Sequence, residues 1–294
     1  LSMKQSLSAW KPFSDPTRAA DLLAQYSTLC SKAIVVDLLN SVVLPVVQRI
    51  VSSPQQFSVV EDCEPCVQLY ESLKNVVGTG PLEAFLQNCV LPRITFDVEQ
   101  IWDPVRSKIA IHIWVFPWLP HISLSHLFPA IRRKLHVALA KWTGPEDTSV
   151  RELVQPWKGV FDDKSFTAMI NRDILPKLAV AMGSVVVKVE KQDLAPFERI
   201  ADWREGGLLS ESDFLALLEG EFFLTWLNAL HSYISQNRHR HSESEFKKEL
   251  GEFYLGWKGV LAKAAGGEDA LMGDDMTCLL MHAALVIIGT CLDR

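Results

Sequence analysis

Cysteines, histidines, paired carboxylates and clustered cations are the residues through which this chain could do chemistry, and each makes a definite demand on its surroundings. Cys63-Glu64-Pro65-Cys66 is a Cys-x-x-Cys. A structural zinc ion needs four ligands, and neither a second Cys-x-x-Cys nor a His-x3-His follows at usable spacing. A redox role needs a strand-to-helix turn, which the surrounding pattern lacks. His239-Arg240-His241, beside Arg238, reads as a solvated turn. Asp162-Asp163 and Asp274-Asp275 stand where helices begin, and carboxylates there accept unpaired N–H groups without moving protons. No Gly-x4-Gly-Lys-Ser/Thr, Gly-x-Gly-x-x-Gly or Gly-x-Ser-x-Gly occurs, so phosphate cradles and nucleophile elbows are unsupported. The expectation is a protein with no catalytic residues, no metal, no cofactor and no small-molecule substrate.

Cations and tryptophans point instead to recognition of a partner. Arg132, Arg133 and Lys134, with Lys141 further on, form a candidate basic patch able to meet RNA phosphate or an acidic protein. Helical spacing over 123–142 puts Leu124, Ile131, Leu135, Leu139 and Trp142 on a buried stripe and leaves Arg132, Arg133 and His136 outward. A solvated helix face accounts for the same residues, so direct RNA contact is expected to be weak at most. Nine tryptophans are spread along the chain, most of them as core. Trp114 and Trp118, in a proline-broken apolar stretch that resists regular helix, are the candidate protein-binding pair.

Composition narrows the class. The chain has 294 residues, 48% hydrophobic and 22% charged, which supplies a substantial core and disfavours disorder. Its 29 Lys+Arg against 35 Asp+Glu leave a net charge of -6, the wrong sign for a protein whose main task is to neutralise phosphate. The six cysteines are sparse, several sit within apolar helical patterns, and most of them read as reduced, buried thiols of a reducing compartment. The late apolar run 279–292 carries His282 and is too short to span a bilayer, so neither a membrane helix nor a membrane partner is expected. A start at Leu1 in place of Met reads as a segment cut from a longer protein, with any address signal outside it.

These residues must be positioned by helices, because apolar residues recur at helical spacing almost throughout. Phe246, Leu250, Phe253, Trp257 and Leu261 form one stripe behind a Ser242/Glu245 capping box. Leu215, Leu218, Phe222, Trp226 and Tyr233 form another behind Ser210 and Asp213, with Phe214, Leu217, Phe223 and Leu230 beside it, as an inner helix requires. Asp15-Pro16 reads as the start of an earlier helix over 17–30. Four apolar-apolar-Pro-x-apolar segments centre on Pro45, Pro92, Pro129 and Pro176, at spacings of 47, 37 and 47 residues. That period fits stacked helical hairpins of the HEAT type, with each proline in a first turn or at a kink. The fold expected is all-α, with proline-marked helical repeats over 1–190 and a C-terminal helical part over 191–294 of the same interaction domain. The valine-rich 185–189 reads as an extended linker or a short strand.

Several motifs occur in an order that is itself specific. They are Trp114-Val-Phe-Pro-Trp-Leu-Pro120, Ile131-Arg-Arg-Lys-Leu135, Gln155-Pro-Trp-Lys-Gly-Val-Phe161, Ile174-Leu-Pro-Lys-Leu178 and Asp202-Trp203. Leu217-Leu-Glu219, Phe222-Phe223, Trp226 and Phe253-Tyr-Leu-Gly-Trp-Lys258 continue the series. The chain resembles the C-terminal GC-rich-sequence DNA-binding-factor-like domain of the tuftelin-interacting protein family, the G-patch spliceosome disassembly factors. The resemblance runs from about residue 86 to 261 and extends toward Trp10. It implies a nuclear, non-enzymatic scaffold in pre-mRNA splicing, docking on the intron-lariat spliceosome with other spliceosomal proteins and a DEAH-box RNA helicase. In that family a glycine-rich G-patch activates the helicase. The 15 glycines here are scattered singly or in pairs, so this segment would dock and the helicase would be reached through the full-length protein. Phe116 departs from the family pattern, which has His before Pro-Trp-Leu-Pro. The alternatives are a related domain acting in transcription or an earlier spliceosomal step, and a direct RNA-binding helical module.

Overall fold

Proline decides how the long helices are built. It lacks an N–H, and its ring crowds the carbonyl four residues back, so an uninterrupted α-helix cannot simply run through it. The computed structural model describes residues 3–7, 9–237 and 243–292. Helix Lys32–Val51 contains Pro45, and the turn before it, Leu39–Val43, is π-helical, with Leu44 N–H bonded to the Leu39 carbonyl five residues back. Helix 80–101 repeats the device: Pro92 follows the π-turn Leu86–Val90, where Leu91 N–H reaches Leu86 O. The wider turn gives the ring room, and its apolar side chains Leu39, Val42, Val43, Leu86 and Val90 are buried. Pro129 and Pro176 stand instead at the second residue of new helices, Phe128–Lys141 and Leu175–Gly183. The four proline segments therefore split into two geometries.

Among the described residues every regular element is helical and none is a strand. The 185–189 stretch is irregular chain. The molecule divides into two compact units, Leu1–Leu135 and His136–Arg294, and the division falls inside helix Phe128–Lys141. The stretch near 190 expected as a soft boundary lies within the second unit.

In the first unit, helix Arg18–Ser27 packs on Cys63–Val77 and on the start of Lys32–Val51. The chain before it turns at 12–17, so the helix begins at Arg18 and Asp15 does not cap it; Asp15 O accepts the Trp10 indole N–H at 2.8 Å. Lys32–Val51 is long and apolar enough, by length and composition, to cross a membrane, contrary to the sequence expectation that no helix is. Its stripe of Val35, Leu39, Val43, Val47 and Val51 is buried, as in a core helix.

In the second unit the core is aromatic. Phe222 in the π-turn Leu218–Phe222 of helix 211–237 lies 4.9 Å from Trp257, ring centre to ring centre, and Phe197 lies 5.5 Å from Trp257. Trp226 stacks on Phe253 at 5.8 Å. The Ser210 cap is formed: its Oγ accepts Asp213 N–H at 3.0 Å. The expected Ser242 cap of helix Glu243–Ala265 lies outside the described residues, as does His239-Arg240-His241. That helix ends at Gly266 and Gly267, whose φ of 100° and 143° only glycine adopts without strain, and Gly267 N–H closes back on Ala262 O at 2.8 Å.

Two helix ends are sealed by one device that the sequence did not reveal. Trp102 directly follows helix 80–101, and Lys134 donates to Trp102 O at 2.6 Å with its ammonium 5.9 Å from the indole centre. Trp142 directly follows helix Phe128–Lys141, and Lys177 donates to the carbonyls of Leu139 (2.7 Å), Ala140 (3.0 Å) and Trp142, with its ammonium 5.8 Å from that indole. Each lysine satisfies carbonyls that a helix terminus leaves without donors and adds a cation–π contact. Lys177→Met keeps the apolar stem and removes the donors; the expected loss is about 1–3 kcal/mol by urea denaturation, with Lys177→Arg milder.

Candidate interaction surface

The candidate tryptophans are not surface anchors. Helix Ile111–Val115 and the 3-10 turn Phe116–Trp118 carry Trp114 and Trp118 inward, where they are 1% and 0% exposed. Two prolines do not keep the segment irregular, because Pro117 sits at a helical start, where its missing N–H costs nothing. Trp114 O accepts the Cys63 thiol at 3.2 Å, tying this turn to helix Cys63–Val77. Cys63 and Cys66 are both buried within this packing. Burial pushes the Cys63 thiol up to about 11, against the lowering effect of the nearby Trp118 side chain, and burial raises Cys66 too. Among the described residues no cluster of three His, Cys, Asp or Glu side chains could hold a metal ion.

The basic patch is reduced in the same way. Arg133 is exposed and Arg132 half-buried, but Lys134 is committed to Trp102, where burial lowers its pKa against the opposing pull of Asp103. Two residues on, the half-exposed His136 shares a hydrogen bond of 2.8 Å from its Nδ1 to Asp173 Oδ1. Arg172 holds both oxygens of the same carboxylate at 2.8 Å. Burial pushes the Asp173 carboxyl up, but the Arg172 and His136 contacts outweigh it and leave it below its ordinary value. This charged group is a structural joint between helices Phe128–Lys141 and Asp163–Asp173 within the second unit.

What the surface does offer is apolar. The last helix, Asp275–Leu292, has no Asp, Glu, Lys or Arg between Met276 and Leu292. One face, with Thr277, Met281, Ala284 and Cys291, is buried against its own unit. The opposite face leaves Leu279 62% and Val286 63% exposed, with Met276 and Leu285 also open. The helix therefore keeps an uncharged apolar face open to solvent. The 279–292 run, expected only to be too short for a bilayer, carries this second face. The signal was there in the missing polar side of the helix. At its N-terminal end a hollow of about 450 Å³ is lined by Glu211, Glu219, Asp269 and Asp274, with Leu215 and Ala216.

The described residues form an all-helical body with its tryptophans inside and an apolar helix face outside. Residues 54–230 match the family of GC-rich sequence DNA-binding factor-like proteins. Tuftelin-interacting protein 11 of Homo sapiens is 30% identical over 275 residues, covering 88% of this chain, and that of Bos taurus is 31% identical over the same share. The chain belongs to the GC-rich sequence DNA-binding factor-like family, with tuftelin-interacting proteins among its relatives. The matched region spans 31% of the length of these curated relatives.

Three outcomes follow. Trp118→Ala should cost about 3–5 kcal/mol in urea denaturation, the loss of a buried anchor. Cys63 and Cys66 should resist iodoacetamide at pH 8 in the folded chain and react once it is unfolded, since the thiolate is the nucleophile. Because the Asp173 pKa is depressed on folding, its stabilisation is full above the ordinary carboxylate pKa and is lost as pH falls through the lower, folded value. The wild type should therefore lose more stability than Asp173→Asn between neutral and acid pH, as read from urea midpoints.

Proposed function

We propose that this chain is the non-enzymatic docking platform of a spliceosome disassembly factor. On this reading an all-helical body of stacked hairpins, acting in the nucleus, binds late spliceosomal proteins and serves pre-mRNA splicing alongside a DEAH-box RNA helicase. The observation that carries the docking part is where the aromatic residues lie. Trp114, Trp118, Trp157, Trp203, Trp226 and Trp257, all within the motifs that carry the family resemblance, are buried. The shared residues thus build the helical body, and recognition is left to its surface, where the open face of the last helix is apolar. The splicing part is supported by similarity to tuftelin-interacting proteins over 88% of the chain. The net charge of -6 favours protein partners over phosphate.

An affinity pull-down of the 294-residue chain from nuclear extract, with and without RNase and read by mass spectrometry, tests this. Late spliceosomal proteins retained after RNase are the expected result. Recovery only without RNase would move the reading to RNA contact, and Arg132→Glu with Arg133→Glu should then abolish it. Recovery of transcription proteins alone would place the domain in another branch of the family.

A further inference from the structure

The open face of the last helix has a pattern that specifies more than apolarity. Met276, Leu279, Ala283, Val286 and Thr290 fall at i, i+3, i+7, i+10 and i+14, an uncharged seam with a 3.5-residue repeat. Leu279 and Val286 project to solvent at either side of the small Ala283, which allows a second backbone to approach closely. A seam of this period takes another α-helix as its complement.

The N-terminal end of the seam supplies the charge. Asp274 caps the helix, its Oδ1 accepting Thr277 N–H at 2.9 Å, and Thr277 Oγ1 donates to Glu219 at 3.3 Å. Burial and the adjoining Asp274 push the Glu219 carboxyl up, which is the signature of carboxylates crowded without a cation. Arg204 pairs with Glu211 at 3.4 Å, and Lys258 with Glu268 at 2.5 Å. Among the described residues no ion pair reaches Glu219, Asp269, Asp274 or Asp275. The seam of a second copy would bring no cation of its own, since it carries no Lys or Arg between Met276 and Leu292.

We infer that the face Met276–Leu279–Ala283–Val286 docks an amphipathic helix of a partner protein, whose apolar stripe lies along the seam and whose Lys or Arg residues at one end enter the Glu219–Asp269–Asp274 hollow. The inference deepens the docking reading and is independent of the splicing assignment. Apolar complementarity holds the two helices together, and the carboxylates fix the direction in which the partner lies and raise its rate of encounter.

The probe is a lactam-stapled helical peptide of about 16 residues, the length that ~1.5 Å per residue needs to cover the seam. It carries Leu at heptad a and d positions and three Lys at one end, and its counterpart carries Glu in their place. Fluorescence anisotropy against the 294-residue chain should show the Lys peptide binding at least about tenfold more tightly than the Glu peptide. Val286→Asp, at an exposed position that leaves the fold intact by circular dichroism, should abolish binding of both. Glu219→Gln with Asp269→Asn should remove the preference for Lys while leaving residual apolar binding. Equal binding of the two peptides, binding untouched by Val286→Asp, or no binding of either would overturn the inference. So would self-association of the chain in sedimentation that Leu279→Asp abolishes, or flotation with phosphatidylcholine vesicles that Val286→Asp abolishes; these would assign the face to a second copy or to a bilayer. Failure here leaves the pull-down result standing, and failure of the pull-down leaves this peptide test standing.

Discussion

Helix ends that are packed against other helices must still satisfy their carbonyls, and the rest of this structure depends on how that is done. Away from water an unpaired backbone group costs as much as several methylenes recover by burial. The chain meets the demand with Lys134 on Trp102, Lys177 on the last carbonyls of helix Phe128–Lys141, and the left-handed Gly266-Gly267 close of helix Glu243–Ala265. Interior prolines pose the same demand inside a helix, and the π-turns before Pro45 and Pro92 meet it with bonds spanning five residues. With these ends closed, wide aromatic side chains fill the space between helices, and burial of the rings leaves the indole N–H groups of Trp118 and Trp226 without an acceptor.

That constraint also explains which functional candidates survive. Lys134 looks like part of a cationic patch in the linear sequence, yet the carbonyl it must satisfy belongs to a residue 32 positions away. Trp114 and Trp118 look like anchors because prolines surround them, yet short helical turns absorb those prolines and bury both rings. In each case a residue type suited to recognition is taken up by the fold.

Much of the architecture is legible in the sequence. The helical period of Phe246 through Leu261, the Ser210 cap and the family motifs all correspond to structure, because each depends on neighbours a few residues away. The recurrence of the four prolines allows a first turn or a kink, and both occur: Pro45 and Pro92 lie within helices and Pro129 and Pro176 begin them, a difference set by whether the preceding turn can widen or breaks. The lysine clasps and the acidic hollow were beyond a sequence reading, since they join residues brought together only by packing. The open face of the last helix was within its reach.

Aromatic motifs build the helical body, the apolar face of the last helix stays open, and the role proposed for that body is to dock other proteins. The most direct measurement is the level of excised intron lariats in cells depleted of the endogenous protein and supplied with it either intact or lacking residues 1–294 of this segment. The account predicts that only the intact protein restores normal lariat turnover, with lariats accumulating when the segment is absent. Equal turnover with and without it would contradict the assignment of this domain to docking in late splicing.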